Sequence, residues 1–177
     1  MHPSLTSEWD RLEAQQRAIL ADLEAWPVAK RTERPSPDAW SATEVLDHLV
    51  VVERAAAAYL EKKLQASDLP GETMTVRLRR AMLHVALSSP FRFRVPGKGL
   101  EPARDIGWDD VVARWAAARE TLRLMMDAFP EERLAEGVFR HPLVGYLTVR
   151  HMLTFFRAHI AHHRRQLSRI GRSVGAG

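Results

Sequence analysis

Apolar residues recur along this chain at alternating spacings of three and four residues, which places them on one face of an α-helix. Four long stretches carry this pattern: residues 5–26, 41–69, 108–129 and 148–170. A shorter basic helix is predicted over residues 73–87. Long amphipathic helices bury their apolar stripes against one another. The pattern therefore predicts an all-α protein, a four-helix bundle with one short extra helix.

Local signals mark where these helices begin and end. Ser41 and Glu44 have the spacing of a capping box, and Trp40 with Val45 has that of a hydrophobic staple. Pro27 ends the first helix. Residues 138–148 contain β-formers, a proline and a glycine, which predicts a small hairpin before the last helix.

Few other segments interrupt the helices. Residues 88–107 are rich in proline, glycine and arginine, which predicts a long irregular connection. Within it, residues 91–94 either rim a pocket, where arginine would favour an anionic substrate, or belong to a solvated loop. Neither a repeat nor a domain linker is evident. We therefore expect one domain over residues 1–171 and a disordered tail over 172–177.

Composition narrows the classes of function. The 177 residues include no cysteine, so disulfides, thiolate ligands and cysteine nucleophiles are excluded. The net charge of +4 comes from arginines scattered among acidic residues, and no nucleic-acid motif accompanies them. We expect no nucleic-acid partner. The start of the sequence does not resemble a secretory signal and no apolar run is long enough for a bilayer, so a cytoplasmic protein without membrane contact is expected.

The last predicted helix carries histidines on its apolar stripe. The stripe runs at spacings of 4, 3, 4, 3 and 4 through Met152, Phe156, His159, His163, Gln166 and Ile170. His159 and His163 thus lie one turn apart on the face that packs inward. Burying two imidazoles is costly unless a partner satisfies them, and a metal ion is such a partner. Two core histidines hydrogen-bonded to protein groups are the alternative.

A third ligand is needed for an effective site, and His48 is the best candidate. It lies on the second helix, three residues after Val45 and four before Val52, both expected to face the core. Ligands in helix bundles project inward from facing helices. Three histidines leave coordination positions open, which suits a reactive ion that activates water or a thiol.

Other polar residues near these histidines have open roles. His162 points about 100° away from His163 on an ideal helix, so it is expected to be exposed or to support the site. His141 either lines a pocket or has a structural role. Glu44, Asp47 and Gln166 are candidates to orient the metal histidines by hydrogen bonds. The remaining histidines are expected outside the cluster: His2, His84 and His151. The five tryptophans are expected in the core, not at the metal.

Two segments resemble a known family. The sequences WSATEVLDHL, residues 40–49, and HPLVGYLTVRHMLTFFRAHIAHHRRQL, residues 141–167, are similar to motifs of the DinB-like (YfiT-like) metal-dependent hydrolases and thiol transferases. The resemblance implies helices in up-down-down-up order, a homodimer, and a divalent ion such as zinc or nickel. By motif, its ligands would be His48, His159 and His163. Enzymes of the family tend to use low-molecular-weight thiols in transfer or isomerisation reactions.

Two functions are compatible with these observations. One is a metal-dependent enzyme whose mononuclear three-histidine site activates water or a small thiol, as a hydrolase or a thiol transferase or isomerase. Its partner would be a small-molecule substrate. The other is a non-catalytic binding or stress-response bundle in which the ion only stabilises the fold. Because the sequence contains no complete nucleophile–base constellation, it does not choose between them.

Overall fold

The computed structural model describes residues 1–66, 69–71, 73–88 and 99–176, with the backbone alone for His84 and Ser88. This part of the chain contains six α-helices and a two-stranded sheet. The helices are α1 (Pro3–Glu24), α2 (Val28–Thr32), α3 (Ala42–Leu64), α4 (Met74–Ser88), α5 (Trp108–Asp127) and α6 (Val149–Val174). The all-α bundle and its extra helix α4 are confirmed. Residues 91–94, the expected pocket rim, lie outside the described residues.

The predicted start of α3 is confirmed in detail. The Ser41 hydroxyl accepts from the Glu44 backbone N–H at 3.3 Å, and a Glu44 carboxylate oxygen accepts from the Ser41 N–H at 2.8 Å. Each side chain thus satisfies a backbone donor that the first helical turn leaves free. This reciprocal cap marks where α3 begins, two turns before His48.

The predicted hairpin is also present. Strand β1 (Phe139–His141) pairs antiparallel with β2 (Gly145–Leu147), and His141 lies opposite Gly145. Gly145 has a φ of +100°, which residues with a Cβ rarely adopt. The sequence pattern did not predict α2, a helix of one turn that follows Pro27. At five residues, α2 is too short to show a periodic stripe.

Ion pairs show the relative directions of α1 and α6. Glu8 of α1 lies 2.5 Å from Arg157 of α6, and Asp22 lies 2.6 Å from Arg164. Residue numbers therefore rise together along the two helices, which makes them parallel.

The same reasoning orders the other two long helices. Asp47 of α3 pairs with Arg114 of α5, and Glu53 pairs with Arg119, so α3 and α5 are also parallel. Helix α1 runs antiparallel to α5, because Glu13 pairs with Arg119 while the Met1 amino group, at the other end, pairs with Asp127. The four long helices α1, α3, α5 and α6 thus follow the expected up-down-down-up order.

Helix α6 extends further than the sequence predicts. It ends at Val174, which is buried, and Gly175 closes it in the left-handed conformation. Gly171 lies inside this helix. Its lack of a side chain is needed for packing, because a Cβ there would be 2.6 Å from the Trp26 ring. Residues 172–174, expected in a disordered tail, are therefore helical. None of the described helices has the combination of length and apolarity needed to cross a membrane.

Candidate metal centre

The histidines on the inward stripe of α6 meet the one on α3. The rings of His48, His159 and His163 have centroids 4.6 to 5.2 Å apart, and one nitrogen from each ring lies within 4.8 Å of the other two. His159 Nε2 and His163 Nε2 are separated by 3.0 Å. The structure thus brings together the three histidines that the spacing singles out.

Hydrogen bonds set which nitrogen of two rings is available. His48 Nδ1 lies 2.7 Å from the Leu100 carbonyl oxygen, and His163 Nδ1 lies 2.8 Å from the Gln166 amide oxygen. A ring nitrogen meets an oxygen acceptor only as an N–H donor, so each Nδ1 carries the proton. Each Nε2 then keeps its lone pair. Of the candidates from the sequence, Gln166 thus contacts a ring of the cluster directly.

Burial keeps the three imidazoles neutral. Removal from water lowers the pKa of His163 to about 3, with the nearby His48 contributing in the same direction. Burial also lowers the pKa of His48, although its bond to the Leu100 carbonyl opposes the shift. His159 is half-buried because one side of its ring faces a cavity, and desolvation together with the other histidines holds its pKa well below 6.5. All three rings therefore offer lone pairs at neutral pH.

The donor set fits a divalent ion of borderline softness. Two nitrogens bound to one zinc at tetrahedral angles are roughly 3.3 Å apart, so the 3.0 Å between His159 and His163 needs little adjustment. Imidazole suits zinc, nickel, cobalt and copper, and three of them do not distinguish these ions. A three-nitrogen set also leaves positions for water or substrate.

Asp47 connects the His48 side of the site to the loop that carries Leu100. Its carboxylate is inaccessible to solvent, accepts from the Ala103 N–H at 2.7 Å, and lies 2.9 Å from the Arg114 guanidinium. The loop is thereby held where the Leu100 carbonyl reaches His48. Glu44, the other acidic candidate, caps α3 and pairs with Arg34.

We expect replacement of Asp47 by alanine to weaken metal binding about 10- to 100-fold, the usual cost of losing a group that supports a ligand. Without the Ala103 and Arg114 contacts, the Leu100 carbonyl no longer holds the His48 ring in one tautomer and orientation. The measurement is the dissociation constant for Co²⁺, followed by its visible absorption.

The matched control is Ser41→Ala, which removes the cap from the same helix. It is expected to cost about 1 kcal/mol of stability and to leave Co²⁺ affinity unchanged. Equal losses of affinity in the Asp47 and Ser41 variants would mean that metal binding follows the stability of α3 alone.

A cavity of about 930 Å³ opens beside the histidine cluster. Its walls are mainly apolar and include Val52, Ala56, Leu83, Phe139, Phe155 and Ile170. Trp40 also lines it, packed against the core but with its ring centroid 5.1 Å from that of His48, so the expectation that this tryptophan lies away from the metal histidines is wrong. Arg140 and Arg169 are the described cationic residues of the lining, and Asp38 is the described acidic one. The cavity suits a small, partly apolar molecule.

The remaining histidines divide between the cavity and the periphery. His162 is half-buried at the cavity wall, with Nδ1 3.3 Å from the Leu87 carbonyl. His151 lies 3.0 Å from the Thr148 hydroxyl, near the start of α6. His141 lines the cavity, and its Nδ1 accepts from the Leu143 N–H at 3.2 Å. His141 thus has both roles left open by the sequence.

Burial of His141 predicts an acid-dependent loss of stability. Burial lowers its pKa to about 4, whereas in the unfolded chain it titrates near 6.5. Below pH 6.5 the unfolded state is therefore protonated at this residue while the folded state is not, and the free energy of unfolding falls as the pH drops towards 4. We expect this one group to contribute about 1.4 kcal/mol per pH unit in that window.

Urea unfolding of chelator-treated protein at pH 7.5, 6.5, 5.5 and 4.5 measures this contribution. Other groups titrate too, so the quantity to compare is the difference between the native protein and His141→Asn. That difference should be constant above pH 6.5 and should change with pH below it. A difference that is independent of pH throughout contradicts the assignment.

Sequence reasoning did not identify Leu100, whose contribution to the site is a backbone carbonyl. No side-chain pattern signals such a group, and it lies 52 residues from His48 along the chain. The sequence marks Asp47 as a candidate to orient the metal histidines only because it adjoins His48. Its actual role, as the anchor of the Leu100 loop, depends on α5 lying alongside α3.

The amino-acid sequence matches a family model and a protein of known sequence. A family model described as the DinB superfamily matches residues 11–167. An uncharacterized protein of Bacillus subtilis (strain 168), YuaE, is 28% identical over 161 residues, which cover 87% of this chain and 94% of that protein. The family match includes all three clustered histidines.

Proposed function

Because the chain belongs to the DinB superfamily, whose members typically bind metal ions, we propose that it is a metal-dependent enzyme with one divalent ion held by His48, His159 and His163. The observation that carries this proposal is the convergence of three neutral imidazoles within 4.8 Å, beside a cavity large enough for a small molecule. Zinc and nickel are the expected ions, and we propose a single domain that begins near residue 1 and, in place of the expected end at residue 171, extends to the end of α6 at Val174.

Residues around the three histidines favour metal binding and catalysis at this site. A bound divalent ion would supply Lewis acidity, which favours the deprotonated form of a water or thiol near neutral pH. Leu100 and Gln166 hold two of the rings in the tautomer that leaves Nε2 free. The mainly apolar walls would strengthen electrostatic interactions at the centre. The proposed reactions are hydrolysis, or transfer or isomerisation that uses a low-molecular-weight thiol.

Elemental analysis of protein purified without a nickel column or chelator tests the metal. We expect close to one zinc or nickel ion per chain. A panel of small thiols with electrophilic acceptors, and of esters and amides, then tests catalysis by the loaded protein against the chelator-treated protein.

Three outcomes distinguish the possibilities. Turnover that requires the ion supports the enzyme. A large rise in melting temperature with the ion, without turnover on any member of the panel, supports the non-catalytic metal-stabilised bundle instead. Protein that contains and takes up no ion contradicts both. The expected homodimer is a separate proposal, and light scattering coupled to size exclusion tests it.

A further inference from the structure

We propose that His141 is a second binding point in the cavity, where its Nε2–H donates a hydrogen bond to an oxygen of the substrate. The inference rests on the proposed function and deepens it by naming a feature of the substrate. The substrate would bind the metal through one atom and present a carbonyl or carboxylate oxygen to His141.

The hairpin fixes the tautomer of His141. The ring lies at the end of β1 and is 6% exposed, and its Nδ1 accepts from the backbone N–H of Leu143. A backbone N–H only donates, so Nδ1 must hold a lone pair and not a proton. In the neutral ring the proton is then on Nε2, on the side facing away from the turn. Burial favours this neutral form near pH 7.

The Nε2–H is available to a ligand. Among the described residues no hydrogen-bond acceptor is paired with it, and it is not one of the side-chain atoms that are buried without a hydrogen bond. The atom therefore faces open space, and the space beside His141 is the metal-site cavity. A half-enclosed donor of this kind is costly to leave without an acceptor.

Phe155 sets the distance between this donor and the metal ligands. Its ring meets His141 edge-on at 4.8 Å and stacks on His159 at 5.4 Å with an interplanar angle of 14°. The two imidazoles are thus separated by no more than about 10 Å. A molecule with a few bonds between its metal-binding atom and its oxygen spans such a gap. Arg140 and Arg169 in the lining favour a carboxylate over a neutral group.

Two substitutions distinguish the roles of the two ring nitrogens of His141. In His141→Asn the amide oxygen occupies the place of Nδ1, so the Leu143 bond is kept and the distal donor is lost. In His141→Gln the amide NH₂ occupies the place of Nε2, so the donor is kept and the turn bond is lost. A merely structural histidine tolerates the first change better, whereas a binding donor tolerates the second better.

The experiment uses Co²⁺-loaded protein, in which a bound thiolate gives a charge-transfer band. The probes are ω-mercaptoamides of two to four carbons, each compared with the alkanethiol of equal carbon number. The amides are uncharged, so their preference measures the hydrogen bond and not attraction to the arginines. In the native protein we expect at least one amide to bind about tenfold tighter than its alkanethiol. His141→Gln should keep most of this preference, and His141→Asn should lose it.

A preference that persists in His141→Asn, or that both variants lose equally, overturns the inference. So does its absence for every chain length in the native protein when alkanethiols do bind. If cobalt binds but no thiol gives the band, the thiol branch of the proposed function fails, and ¹⁵N–¹H correlation spectra of the His141 ring decide this inference separately. The Nε2–H tautomer supports it, and the Nδ1–H tautomer overturns it.

Discussion

Replacement of His159 by alanine is expected to abolish stoichiometric binding of Zn²⁺ or Ni²⁺. The variant keeps His48 and His163, but two ligands make a weak site. Losing a group that merely orients a ligand costs 10- to 100-fold in affinity, so losing a ligand should cost more than about 100-fold. Competition titration against a chromophoric chelator measures the change, and circular dichroism checks that the helices persist.

His162→Ala is the matched control for this experiment. His162 lies on the same helix and lines the same cavity, with its ring 5.2 Å from that of His163, but it is outside the cluster of converging nitrogens. It should retain one ion per chain with nearly native affinity. A His159→Ala protein that keeps both stoichiometric metal and its helical content would show that the site is wrongly assigned.

Replacement of Glu53 by alanine is expected to destabilise the protein by about 3–5 kcal/mol, the largest effect of a substitution outside the site. Glu53 is 3% exposed and Arg119 is 4% exposed. Both Glu53 oxygens accept from Arg119, at 2.7 and 2.8 Å, and one also accepts from the Trp115 ring N–H at 3.1 Å. Without Glu53, Glu13 at the outer edge is the one charged partner that the guanidinium keeps among the described residues. Urea unfolding measures the loss.

Two further variants identify the cause. Glu120→Ala removes a carboxylate from an exposed pair with Arg123 on the same helix, and we expect it to cost below about 1 kcal/mol. The double variant Glu53→Leu/Arg119→Met removes both buried charges and should recover much of the loss. If Glu53→Ala is no worse than Glu120→Ala, the buried pair contributes little to stability.

The spacing of residues on α6 made both the fold and part of the site predictable. Alternation of three and four residues along this helix gives its inward face, and His159 and His163 lie on that face whatever the helix packs against. The Ser41–Glu44 cap is equally local, because both partners belong to one turn. Such features follow from helical geometry alone, which the sequence specifies without reference to the rest of the molecule.

The predictions that were wrong concern groups that meet only through packing. The position of Trp40 against His48, at the edge of the core, depends on how the segment before α3 folds over the cavity. Helix α6 continues past Gly171 to Val174, and the glycine at this position is explained by packing, because a Cβ there would be 2.6 Å from the Trp26 ring. Neither effect has a signature in the neighbouring sequence.

The amino-acid sequence by itself determined the helical class, the capped start of α3 and the pairing of two histidines one turn apart, because these depend on residues within a few positions of each other. The tertiary structure decided that His48 meets them, that the Leu100 carbonyl orients its ring, and that Glu53 is buried with Arg119. These contacts join residues 52 to more than 100 positions apart. They exist only once the helices have adopted one register, and that register is set by the packing of all the apolar faces together.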